Sequence, residues 1–137
     1  MVERPPTFFV DRGLGSVILP RLLREAGSSV TTMDERYGAA RSQGIADVDW
    51  IRDASEHGDV LRTKDVAIAR RPVEAQVVHM CDAAVVTVTN THLPAATTAH
   101  WLLRHEAAIM RWAARTTRPF VLGVYEKRIA RLRLHYP

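Results

Sequence analysis

Thr7-Phe8-Phe9-Val10-Asp11 is an apolar, β-favouring run that stops on a carboxylate, and Arg12-Gly13-Leu14-Gly15 turns the chain straight after it. The same arrangement returns in Val60-Leu61-Arg62-Thr63-Lys64-Asp65, a strand-like run ending in a polar triplet. Between the two, Val17-Ile18-Leu19 and Leu22-Leu23 recur at helical spacing and Gly27 closes that helix. Val30 to Met33 predicts a second strand, and the polar, glycine-containing stretch 34–46 predicts a loop. Asp47 is placed as the N-cap of a helix through Trp50, Ile51 and Ala54 that ends at Gly58.

Beyond Asp65 the alternation continues. Pro72 to Cys81 predicts a helix with proline in its first turn, and Ala84 to Val88 a buried strand with Thr89-Asn90 just past its end. Pro94 to Arg115 predicts a long helix, then Phe120 to Val124 and Arg128 to Leu134 a closing strand pair that turns near Glu126-Lys127. Strands alternating with helices predict an α/β fold with a mostly parallel sheet covered by helices. Ligands of such sheets sit at the carboxyl ends of strands. Asp11, Asp65 and Asn90 each follow a predicted strand and Asp47 opens a helix, so all four can meet at one sheet edge.

The 137 residues suit one domain, taken as 1–137 with a core of about 7–134. A chain this long buries roughly two thirds of its unfolded surface, so folding requires no covalent staple. The single cysteine, Cys81, reads as a small buried residue and excludes a disulfide-built fold. No run approaches the roughly 20 apolar residues of a membrane span, and Met1 to Pro6 lack a signal-peptide layout. The expectation is a cytoplasmic protein with no membrane partner.

Net charge is +4, unevenly spread. Residues 1–65 hold 11 acids and 9 bases, whereas residues 66–137 hold 4 acids and 10 bases. An acidic front half suits carboxylates gathered around a cation, and a basic back half suits a polyanion, although solubility alone accounts for the same numbers. His100, Arg104, Arg111 and Arg115 share one side of the long helix, with Ala99, Leu102, Leu103, Ile109, Met110 and Ala113 opposite. That side is either a solvated face or a contact for RNA phosphate or an acidic partner segment. Trp50, Trp101 and Trp112 read as core.

Asp11, Asp47 and Asp65 each have an ordinary alternative as turn or cap residues. Converging, they would repel, and a divalent cation held by oxygen ligands relieves that penalty. Mg²⁺ or Mn²⁺ fits an all-oxygen set, whereas zinc prefers histidine or cysteine, and the six histidines show no zinc spacing. Arg12, Lys64, Arg70 and Arg71 are either phosphate contacts or surface charges, and Thr63 either meets a phosphate or ends its strand. Gly13-Leu14-Gly15 lacks the third glycine of a dinucleotide fingerprint, and His105-Glu106 lacks the second histidine of a zinc protease helix.

Phe8-Phe9-Val10-Asp11, the helix ending Leu22-Leu23-Arg24-Glu25-Ala26-Gly27, Asp47-x-x-Trp50-Ile51 and Val60-Leu61-x-Thr63-Lys64-Asp65 together resemble the PIN-like toxins related to VapC. Val88-Thr89-Asn90 and the segment from Pro119-Phe120 to Leu134 extend the likeness over residues 7–134. The resemblance implies a three-layer α/β/α fold and a Mg²⁺-dependent endoribonuclease, the toxin of a toxin–antitoxin pair, with RNA as substrate, an antitoxin as partner and a homodimer as assembly. By motif, Asp11, Asp47 and Asp65 become the catalytic metal carboxylates, and Arg12, Thr63, Lys64, Arg70, Arg71 and Asn90 the substrate contacts. No acid in mid-helix matches the family's glutamate; Glu35, in Asp34-Glu35-Arg36-Tyr37-Gly38, and Asp49 are the candidates to fill that place. Two other readings stand beside this one: a PIN-like nucleic-acid-binding regulator without turnover, and an α/β domain that handles small phosphoesters by aspartate chemistry.

Overall fold

The computed structural model describes residues 7–15 and 17–137; residues 1–6, on which the leader expectation falls, lie outside them. The strands are β1 (Phe8–Val10), β2 (Val30–Thr32), β3 (Val60–Thr63), β4 (Ala84–Val88), β5 (Phe120–Val124) and β6 (Ile129–Leu132). The helices are α1 (Ile18–Glu25), α2 (Met33–Tyr37), α3 (Ala39–Ser42), α4 (Asp47–Glu56), α5 (Pro72–Met80) and α6 (Ala95–Arg115), with single 3-10 turns at Arg12–Leu14 and Val66–Ala69. They form one sheet in the order β2-β1-β3-β4-β5-β6. Every pairing is parallel except β5 with β6.

Strands covered on both faces lose the alternation of a half-exposed strand. Ala84–Val88 and Phe120–Val124 are accordingly buried at every position. On one face Phe8, Val10, Val60, Val86 and Leu122 pack against Leu19 and Leu23 of α1 and Leu102 and Ile109 of α6. On the other, Phe9, Leu61, Val85 and Val121 pack against Trp50, Ile51 and Ala54 of α4 and Val78 of α5. Each of these larger apolar side chains contributes roughly 1.5–3 kcal/mol by leaving water. The result is the helix-covered, mostly parallel sheet expected from the alternation of elements, in the three-layer α/β/α form that the resemblance implies. Trp50 is fully buried, and Trp112 meets Phe120 edge to face at 4.7 Å between ring centres, so the tryptophans belong to the packing.

Two expectations need correction. The stretch 34–46 is not a plain loop, because α2 and α3 lie within it. The cause is a capping box: the Thr32 side chain accepts from Glu35 N, and the Glu35 carboxylate accepts from Thr32 N. Gly38, at φ +83°, then separates the two helices in a conformation that favours glycine. Asp47 is not the N-cap of α4; Ala46 is, and Asp47 is the first helical residue. Its carboxylate turns instead to the Trp50 indole, one helical turn along.

In this strand order β1 lies between β2 and β3. The chain leaves β1 towards one side through α1 and then returns past it to β3. That reversal opens a crevice beyond the carboxyl ends of β1 and β3, where open α/β sheets bind ligands. No helix of the described residues is long and apolar enough to cross a membrane.

Candidate active site

Val10 pairs with Arg62, so Asp11 and Thr63 emerge side by side at the crevice. Asp11 N donates to Arg62 O at 2.9 Å, which holds the chain on the sheet for one residue beyond β1. The Asp11 side chain is buried, only 8% of the residue being exposed. Its Oδ2 accepts from the Thr63 hydroxyl at 2.9 Å. Burial pushes the Asp11 carboxyl above its ordinary value of 3.8; the Thr63 hydroxyl and the Gly13 N–H pull it back, Asp47 raises it further and Arg12 lowers it. Gly13 brings its backbone close: a side chain there would start 3.6 Å from Asp11 Oδ2.

Thr63 is fully buried, and its oxygen also accepts from Asp65 N at 3.0 Å. It is therefore committed to orienting two acids, which corrects the expectation of a phosphate contact. Asp65 caps the following 3-10 turn, with Oδ1 accepting from Ala67 N at 3.0 Å. Asp47 Oδ1 accepts from Trp50 Nε1 at 2.9 Å. The second oxygen of each of these two aspartates meets Arg71, whose Nη2 bonds Asp65 Oδ2 and lies 3.7 Å from Asp47 Oδ2. Glu74 Oε1 accepts from Arg71 Nε at 3.0 Å.

The expected crowding of three carboxylates is only partly realised. Asp47 acts on Asp11 through its charge, and Asp47 shares a guanidinium with Asp65. Among the described residues, however, no group of three or more His, Cys, Asp or Glu side chains stands close enough to hold an ion. The positive charge of Arg71 lies between Asp47 and Asp65. The donors nevertheless match a hard divalent cation in kind. They are all oxygens, Asp11 carries a net cost of ionisation, and neutral N–H groups fix Asp47 and Asp65 by one oxygen each.

The remaining candidates divide. Glu35 is taken up by the capping box and by Arg24, and Asp49 is exposed beside Arg52 at 3.6 Å, so neither joins Asp11. Arg12 sends its guanidinium to the carbonyls of Ser42 and Ile45, holding the α3–α4 connection and not a free phosphate position. Asn90 is exposed and accepts from His92 N at 2.9 Å, as a turn residue does. Lys64 borders a small hollow with Gly13 and Gly15. Arg70 borders a cavity of about 480 Å³ with Tyr125, Arg133 and His135.

The residues missed in the sequence are those that orient others. Asp34 accepts from the Ser42 hydroxyl, Trp50 fixes Asp47 and Glu74 fixes Arg71. The signals were present as spacing: Thr32-x-x-Glu35 is a capping box, and Asp47-x-x-Trp50 and Arg71-x-x-Glu74 are neighbours across one turn.

The mostly parallel sheet thus places acids just past β1 and β3, in a carboxylate-lined crevice at its strand ends. Residues 6–90 match the family described as PIN like domain, and the chain belongs to that family. Over 124 residues it is 39% identical to a Mycobacterium tuberculosis (strain ATCC 25618 / H37Rv) protein named "Putative ribonuclease VapC45", covering 90% of this chain and 89% of that one. No solved structure matches the chain.

Proposed function

We propose that this protein is an endoribonuclease that hydrolyses RNA phosphodiester bonds with Mg²⁺, or Mn²⁺, held by Asp11, Asp47 and Asp65, and that it is the toxin of a toxin–antitoxin pair. The observation that carries the reading is a buried Asp11 held by the Thr63 hydroxyl at the carboxyl ends of β1 and β3, with Asp47 acting on it through its charge. The family and the name of the M. tuberculosis relative support it. A cognate antitoxin and a homodimer enter as partners through the same likeness, and a cytoplasmic site of action goes with them.

The chain's own residues orient the site and receive the substrate. Thr63 holds Asp11 and the Asp65 backbone in one register. Trp50 and the Ala67 N–H fix Asp47 and Asp65 in orientation, which spares reorganisation when a charged ligand arrives. Lys64 and Arg70, in the turn after β3 and at its far end, offer positive charge to the phosphodiester backbone and so position RNA without reading its sequence. Asp11, Asp47 and Asp65 would hold the cation, which when bound would supply Lewis acidity at the scissile phosphate.

Incubating the purified chain with unstructured RNA tests this. Cleavage is expected with Mg²⁺ or Mn²⁺, lost in EDTA and lost in Asp65→Asn. Phosphate release from small phosphoesters without RNA cleavage would contradict it. One observation favours a second reading: Arg71 already spans Asp47 and Asp65, as it would in a regulator that binds RNA and never loads a metal. RNA binding without cleavage under any metal is that reading's result.

A further inference from the structure

The two aspartates of the crevice that meet Arg71 share one pattern. Each has Oδ1 held by a neutral donor, Trp50 Nε1 for Asp47 and Ala67 N for Asp65, and each turns Oδ2 to the same guanidinium. Neutral donors leave a carboxylate its full charge, so the positions left over are those a cation takes. Arg71 takes them from outside the sheet, at the N-cap of α5, where Pro72 follows as a helix-starting residue. The Arg71 side chain is 41% exposed, so its ion pairs are of the weak, solvent-screened kind. Glu74 grips it independently, through Nε.

We propose that Arg71 is an internal counter-ion for Asp47 and Asp65 that a divalent cation displaces, and that the displaced guanidinium, still tethered by Glu74, receives the RNA phosphate. The proposal rests on the metal reading given above. Without metal, the guanidinium offsets the repulsion between the two acids. A divalent cation would compete with the guanidinium for the same two Oδ2 atoms, and the more highly charged, compact ion is favoured there. A guanidinium then stands free beside the loaded site, and its paired N–H groups match phosphate oxygens. Loading the cation and binding the substrate are thereby coupled through one side chain, because each needs Arg71 off the aspartates.

Titration calorimetry with MnCl₂ on the full chain tests this, using the wild type, Arg71→Gln, Arg71→Lys and Asp65→Asn, with thermal melts in EDTA alongside. Arg71→Gln is expected to bind Mn²⁺ roughly five- to tenfold more tightly than wild type, the competing pair being gone. It is expected to melt below wild type in EDTA and to regain the difference in saturating Mn²⁺. Arg71→Lys, which keeps the charge but not the fork, is expected between the two, and it carries the test should Arg71→Gln fail to fold. Equal or weaker Mn²⁺ binding by folded Arg71→Gln and Arg71→Lys, with wild type binding and Asp65→Asn not, would overturn the counter-ion role and leave the metal site standing. Absence of Mn²⁺ binding by every variant would instead remove the metal reading, and this inference with it.

Discussion

The Thr63 hydroxyl donates to Asp11 Oδ2 at 2.9 Å and accepts from Asp65 N at 3.0 Å, so one buried side chain of β3 sets two acids of the crevice. Thr63→Val keeps the shape and removes both bonds. It is expected to cost about 1–3 kcal/mol, the penalty of leaving a buried acceptor unmet, and to raise the Asp11 carboxyl further. Urea unfolding measures the first effect and a carboxyl NMR titration the second. Thr63→Ser should recover most of both, and a Thr63→Val protein as stable as wild type would contradict the assignment.

Asp11 gives a pH dependence of definite sign. Its folded-state carboxyl is raised above 3.8, chiefly by burial, so between that value and its folded one the native state holds more protons than the unfolded chain. Stability attributable to Asp11 therefore falls as pH rises through that window, and the loss is complete once the folded form is ionised. Asp11→Asn is expected to melt higher than wild type in EDTA at neutral pH, and the gain should shrink towards zero below about pH 4. A melting point lowered at neutral pH would make the Asp11 charge structural.

Behind the same strand lies an ion pair with no part in the site. Arg62, fully buried, donates to Glu106 Oε1 of α6 at 2.6 Å, and its guanidinium lies 3.4 Å from the centre of the Phe8 ring. Burial pushes Arg62 down to about 10, against the pull of Glu106. Ser28 also donates to Glu106, tying the start of β2 to α6. Glu106→Ala strands the buried charge and is expected to cost about 3 kcal/mol in denaturant unfolding, whereas Arg62→Met with Glu106→Leu should come within about 1 kcal/mol of wild type. A near-neutral single variant would show the pair to be dispensable.

Trp50 is a core residue with a second task. Trp50→Phe keeps an aromatic ring in the core and removes the donor to Asp47 Oδ1 together with the packing of the indole's second ring. The expected result is a stability loss of about 2–3 kcal/mol, the hydrogen bond and the cavity together, and roughly tenfold weaker Mn²⁺ binding by calorimetry, as for other partners that orient metal ligands. Unchanged affinity would mean that Asp47 is oriented by something else.

The legible part of this molecule was the part written in hydrophobic pattern. Phe8–Val10, Ala84–Val88 and the helix Ala95–Arg115 are runs whose burial on both faces or on one stripe fixes their type. The strand-end acids followed, because Asp11 and Asp65 come immediately or nearly so after such runs. What composition could not reveal was which partner each polar group would choose. Arg12 had a phosphate and two carbonyls to choose between, Glu35 a metal and a capping box, and Thr63 a substrate and two aspartates. Tertiary proximity decided Arg12 and Thr63 in favour of internal partners, and a local cap decided Glu35. The helices within 34–46 are too short to show a period, and only the capping spacing marks them.

The most direct measurement is an anomalous difference map from a crystal grown or soaked in MnCl₂. The account predicts one strong peak in the β1–β3 crevice, about 2.1–2.2 Å from carboxylate oxygens of Asp11, Asp47 and Asp65, with the Arg71 guanidinium turned away from Asp65 and still on Glu74. A crevice with no peak at saturating Mn²⁺ and Arg71 still bridging Asp47 and Asp65, or a peak bound only elsewhere, would contradict it.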